Sequence, residues 1–234
     1  MKSTLTALVF AALASTAQAA CPVPPANAVA VIGALHGLHA KTPGFSYAAL
    51  RRAIVDFRPD VLVVEVRPDE LIDRAATPGR PEYPEVVWPL LKTMQVVAVP
   101  MEPGGEAFKA MVTEAGAAFD GFRRADPAAH AAVDALDTAT EAAMLTWWRT
   151  PDRAHDAVTA AAANGLNTVQ YSFAGDKAFA VQTRWNDYMA ERVAQAVAAH
   201  PGRRVLVLGS WRNRERLEQA VIASRAAQAC FATD

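Results

Sequence analysis

The chain has 234 residues, a formal net charge of −1 and 52% hydrophobic residues. That length suits one domain, or one domain with an insertion, and the apolar content is enough for a sizeable core. With charges near balance and no basic run, nucleic acid is not an expected partner.

The N-terminus reads as a secretory signal peptide. Lys2 gives a positive start, Leu5 to Ala14 is a short apolar run, and Ala17-Gln18-Ala19 fits a small-x-small cleavage site. Cleavage near Ala19 predicts a periplasmic or secreted protein. The apolar run is too short to span a bilayer comfortably, so the mature chain is expected to carry no transmembrane segment. Cys21 lies just past the cut, where lipoprotein anchoring would occur, but Gln18 occupies a position that such sites usually fill with an apolar residue. The two cysteines, Cys21 and Cys230, stand at opposite ends of the mature chain. In an exported protein such a pair predicts a disulfide, which lipidation of Cys21 would preclude.

Residues 29–35 form a nearly continuous apolar run, as expected of a central strand covered on both faces. A loop over 37–45 follows, with Pro43-Gly44 as its turn signal. Ser46 can cap a helix over 47–57, where Leu50, Ile54 and Phe57 recur at helical spacing. A second strand over 61–66 completes a βαβ unit, which is right-handed almost without exception. The stretch 68–84 reads as an irregular loop, 85–93 as a short helix and 95–99 as a third strand. From Glu106 to about Gly165 the pattern is helical and Ala-rich, with helices over 108–122, 127–148 and 151–163. This block is expected to be an insertion or lid that stops at Asn164-Gly165. Residues 181–199 form the clearest helix, with Val181, Trp185, Met189, Val193 and Val197 on one face. A fourth strand over 205–208 turns at Gly209-Ser210 into a helix over 213–226. The alternation predicts a single α/β domain over 20–234, with a mainly parallel central sheet flanked by helices and a helical insertion at about 106–165.

In such sheets functional groups collect where parallel strands end. His36, Glu65, Glu102 and Arg212 each follow one predicted strand, and His36 is expected in their middle. His36 and His39 are candidate metal ligands, because neutral imidazole binds zinc and similar ions. Gly33, three residues earlier, would let the chain turn and a ligand approach. Glu65 follows four β-branched or Leu residues, and a glutamate there needs a partner. That partner would be a metal, His36 or one of Arg67, Arg184 and Arg212. Glu102 sits on a Pro/Gly-rich turn, and Arg212 could grip a carboxylate or phosphate in a fork. Arg184 and Asn186 lie on the polar side of the 181–199 helix. No nucleophile elbow, P-loop, dinucleotide fingerprint or His-Glu-x-x-His is present, and His130, His155 and His200 lack a companion at ligand spacing.

Four pieces resemble the TraB/GumN–TIKI superfamily, more distantly related to erythromycin esterase and the ChaN-like haem-binding proteins. Gly33-Ala34-Leu35-His36 looks like the family's first Gly-x-x-His. Residues 58–65 look like its Arg-Pro-Asp strand ending in Glu, 186–190 are similar to its Arg-Asn-x-x-Met helix, and 203–209 look like the strand before its second Gly-x-x-His. The resemblance implies an α/β fold of paired βαβ modules and a metal-dependent hydrolase acting on a peptide or ester bond. His36 and Glu65 carry over as ligands, and His39 or Glu102 would have to complete the set. A divalent ion would activate water, with Glu65 as base and Arg212 holding an oxyanion or anionic group of a small-molecule or peptide substrate beside Arg184 and Asn186. Two departures stand out. Arg212 occupies the place of the second histidine, and Trp185 precedes Asn186 where the family has arginine. A permanent cation in place of a neutral ligand repels a divalent ion. The alternative expectations are therefore a metal-free protein binding an anionic small molecule or haem, and an envelope interaction protein using its helical block.

Overall fold

Leu62, Val64, Leu206 and Leu208 share one core, while Val61, Val63, Val205 and Val207 share another. That period of two is what a sheet buried on both faces requires. In the computed structural model, which describes residues 28–74 and 79–231 (225–231 as backbone), four strands form one all-parallel sheet. They are β1 (Ala28–Ala34), β2 (Val61–Val64), β3 (Val97–Pro100) and β4 (Arg204–Ser210), in the order β1-β4-β2-β3. This is the expected α/β class. The expected signal peptide, its cleavage near Ala19 and Cys21 lie outside the described residues, as does the side chain of Cys230.

The helices are α1 (Tyr47–Phe57), α2 (Pro68–Asp73), α3 (Trp88–Thr93), α4 (Gly105–Ala125), α5 (Pro127–Trp147), α6 (Pro151–Ala154), α7 (Ala157–Ala174), α8 (Asp176–Ala199) and α9 (Arg214–Phe231). One core brings Leu50 and Ile54 of α1, Trp88 and Leu90 of α3 and Met144 of α5 onto the sheet. The other brings Met189, Val193 and Val197 of α8 and Leu217 and Val221 of α9 onto the opposite face. Ser46 caps α1 as expected, its side chain accepting the Ala49 N–H. Among the described residues no helix is long and apolar enough to cross a membrane.

Several expectations are corrected. β1 is an edge strand, and its first four residues are partly or fully exposed. Its small, apolar residues suit a half-covered edge as well as a centre. Gly33 lies inside β1, paired with Gly209, and is not a turn residue. Its missing side chain is what lets β4's continuation pass, since a Cβ there would stand 2.9 Å from the Trp211 Cα. The stretch expected to be an irregular loop contains α2, whose Glu70 carboxylate accepts the Arg67 N–H at 3.0 Å. A π-turn over Tyr83–Val87 then leads into α3. α7 runs through Asn164-Gly165 to Ala174. Burial of Ala163 and Leu166 on either side offsets a helical glycine's cost of roughly 1 kcal/mol. α7 breaks instead at Gly175, whose φ of 85° suits glycine.

Candidate functional site

Because all four strands are parallel, His36, Glu65, Glu102 and Arg212 do fall at one edge of the sheet. Gly33 and Gly209 are in register on neighbouring strands, so the two Gly-x-x segments leave the sheet side by side. The strand order puts His36 at the end of this row, beyond β4, and not in its middle. A cleft of about 400 Å³ opens there, lined by His36, Leu38, Lys41, Glu141, Trp211 and Arg212 among others.

Of the four, His36 has the most unusual setting. Its backbone adopts φ 53°, a left-handed conformation uncommon for a residue with a side chain, held in part by Tyr47, whose hydroxyl donates to the His36 carbonyl at 3.2 Å. Its Nδ1 lies 2.7 Å from Oε1 of Glu82. Glu82 is fully buried, and its other oxygen, Oε2, has no hydrogen-bond partner. A buried carboxylate with one free oxygen is costly unless a cationic or donor partner engages it strongly. Burial alone pulls the His36 pKa down, but the hydrogen bond and charge of Glu82, aided by Glu65, outweigh it and leave the imidazole above its ordinary 6.5. With Nδ1–H committed to Glu82, Nε2 keeps the available lone pair.

Glu82 was not among the expected site residues, because it sits in the stretch expected to be an irregular loop. It ends the Pro-rich segment just before the π-turn, a feature frequent at functional sites. Arg80, also missed, organises the neighbouring carboxylates. It donates to the Glu65 backbone carbonyl and, through Nη2, to Glu102 Oε2 at 3.0 Å. Burial drives the Glu102 pKa up to about 7. Arg80's attraction opposes that rise, and repulsion from Glu65 adds to it. Glu102 is thus a buried carboxyl paired with Arg80.

The other expected site residues are held by contacts within the fold. Glu65 ties β2 to the turn after β4, with Oε2 accepting the Ser210 N–H and Oε1 accepting Asn213 Nδ2 at 3.1 Å. Both of its oxygens are therefore engaged. His39 is buried, with Nε2 accepting the Leu35 N–H at 2.9 Å and Nδ1 donating to the Phe45 carbonyl at 2.6 Å. Neither ring nitrogen is free for a ligand, and burial lowers its pKa. Arg212 is partly exposed and does not pair with Glu65. Its guanidinium grips Asp137 and, at 3.0 Å, Glu141, one turn apart on α5. Arg184 is exposed and pairs with Glu114 of α4. Asn186 is buried on α8 and lines a different cavity.

No family model matches the chain, and no curated protein or solved structure matches it either.

The donor atoms do not fit the expected divalent ion. His39 is saturated, both Glu65 oxygens accept hydrogen bonds, Glu102 is bound to Arg80, and Arg212 stands where a further imidazole would be needed. Among the described residues no group of three or more His, Cys, Asp or Glu side chains is arranged to hold a metal. What the edge offers is a histidine backed by a buried carboxylate in a cleft that Lys41, Arg212 and Glu141 also line.

Proposed function

We propose that this chain is an exported hydrolase of the TraB/GumN–TIKI type that cuts an ester or peptide bond without a metal, using His36 as general base. The observation that carries the proposal is the contact of His36 Nδ1 with the fully buried Glu82 at 2.7 Å beside an open cleft. A carboxylate in that position fixes the tautomer and stabilises the imidazolium that forms when the base takes a proton. Nε2 then removes a proton from water as its oxygen attacks the substrate carbonyl carbon. The proton passes on to the leaving oxygen or nitrogen as the acyl bond breaks. Lys41 and Arg212 supply cations for the developing oxyanion or for an anionic group of the substrate. Because Asp137 and Glu141 already hold Arg212, a substrate carboxylate or phosphate would have to displace them.

The test is hydrolysis of p-nitrophenyl acetate, p-nitrophenyl butyrate and a mixed peptide pool by chelator-treated protein. Turnover is expected to persist in chelator and to rise with pH through a value above 6.5, since only neutral His36 is a base. His36→Gln is expected to cost roughly 10²–10⁴ in rate. Absence of turnover, or equal rates in wild type and His36→Gln, would sink the proposal. Activity that vanishes with chelator and returns with zinc would put a metal mechanism in its place.

A further inference from the structure

A second cavity, of about 610 Å³, lies between α7, α8 and α9 and shares no lining residue with the cleft at His36. Its volume suits a small organic ligand. Its walls are unusually rich in side-chain amides, with Asn164, Asn167, Asn186 and Gln219 all lining it.

Two hydrogen-bond chains set which way these amides face. Tyr171 Oη donates to Gln182 Oε1 at 2.6 Å, and Gln182 Nε2 donates to Asn186 Oδ1 at 2.9 Å. With its oxygen taken, Asn186 has N–H groups to offer a ligand. On the opposite wall Asn164 Nδ2 donates to Glu215, which leaves the Asn164 oxygen and the remaining Glu215 lone pairs as acceptors. The cavity therefore presents donors, from Asn186 and Arg216, interleaved with acceptors, from Asn164, Asp187 and Glu215. A hydroxyl is the group that both donates and accepts, so several hydroxyls in one ligand satisfy such walls together.

Charge and shape narrow the class. Asp187, Glu215 and Arg216 sum to about one negative charge, which gives no basis for an anion. Phe179 lines the cavity yet remains 59% exposed, so an aromatic face is available at its mouth. The electron-rich face of an aromatic ring suits the C–H groups on one side of a pyranose.

We propose that this cavity is a saccharide-binding site for a neutral mono- or disaccharide, with Phe179 as stacking platform and Asn164, Asn186 and Glu215 as hydroxyl partners. It does not depend on the hydrolase reading, because the two clefts are lined by different residues.

Saturation-transfer NMR and calorimetry on the intact protein test this, with cellobiose, maltose and N,N′-diacetylchitobiose as probes and citrate and choline as controls. At least one disaccharide is expected to bind with saturation centred on its ring protons. Phe179→Ala is expected to weaken it about tenfold, a loss of about 1.4 kcal/mol, and Asn186→Asp to weaken it as well. Phe179 is exposed, so its replacement leaves folding intact and keeps the result interpretable. Binding of none of the three sugars overturns the proposal. So does equal affinity in Phe179→Ala, or tighter binding of citrate or choline than of any sugar.

Discussion

At the scale of single residues, the sheet edge is organised by what each polar group has already been given. Glu65 and His39 are saturated by backbone and amide partners, so their role is to hold the β4 turn and the segment after β1 in place. His36 is different, because only Nδ1 is held, by Glu82, and the ring lines the cleft. If Glu82 is what keeps the imidazole basic, Glu82→Gln should lower the His36 pKa below its wild-type value, read by NMR titration of the ring. An unchanged pKa would mean that Glu82 is only a packing neighbour. Arg80 poses a sharper stability question. It is the cation set between the Glu65 carbonyl and the buried Glu102 carboxyl. Without Arg80 the Glu102 carboxyl is pushed above its present value of about 7 and can take up a proton, so Arg80→Met should approach a destabilisation of roughly 3–5 kcal/mol in denaturant unfolding only at alkaline pH, where that carboxyl is charged and stranded. The penalty should grow as pH rises above 7 and be smallest below it, where Glu102 is protonated with or without Arg80.

At the scale of elements, two of the polar contacts between the helical block and the sheet differ in strength. His155, beside α6, accepts the Gly33 N–H through Nε2 at 3.1 Å and donates to the Pro151 carbonyl through Nδ1 at 2.8 Å. Burial, with the nearby charge of Arg214, pushes it down to about 4, so it stays neutral and bonded at ordinary pH. The second fastening is Arg212 on Asp137 and Glu141, and all three side chains are partly exposed. Exposed pairs are worth about 0–1 kcal/mol, so this is the joint that can open. Asp137→Asn with Glu141→Gln should therefore speed hydrogen exchange in α5 while leaving overall stability within about 1 kcal/mol. Unchanged exchange would show that α5 is held by its apolar contacts alone. The same elements show what was legible beforehand. Strands and helices with strong periodicity, such as β2, α1 and α8, were readable because burial repeats every two residues or every three to four. The strand ends of the site were readable too, since parallel strands bring them to one edge. Glu82, Arg80, Asp137 and Glu141 were not, because their partners are 15 to 75 residues away and nothing local marks them. α2 could have been found, since Pro68-Asp69-Glu70 is a helix-start pattern.

At the scale of the whole molecule, the buried titrating groups pull stability in opposite directions, and their sum is testable. His155, lowered from 6.5 to about 4, and His39, also lowered, are neutral in the folded chain where the unfolded chain would be charged. Each contributes stability that is present above pH 6.5 and is lost as pH falls through its folded value. Glu102 and His36 act the other way, because folding raises their affinity for a proton. Glu102's contribution is full below 4.5 and is lost as pH rises through about 7. His36's is full below 6.5 and is lost as pH rises through its raised value. Between 4.5 and 6.5 the loss at Glu102 is met by the gain at His155, and His39 tips the balance toward higher pH. Above 6.5 both histidine gains are complete while Glu102 and His36 are still losing protons. Stability to urea should therefore peak near pH 6.5 and decline toward pH 8. Glu102→Gln should flatten that decline, since an amide cannot lose the proton. His155→Gln should instead soften the fall on the acid side. A stability maximum above pH 8 in the wild-type chain, or an alkaline limb untouched by Glu102→Gln, would show that Arg80 keeps Glu102 charged throughout and that the carboxyl takes no part in the balance.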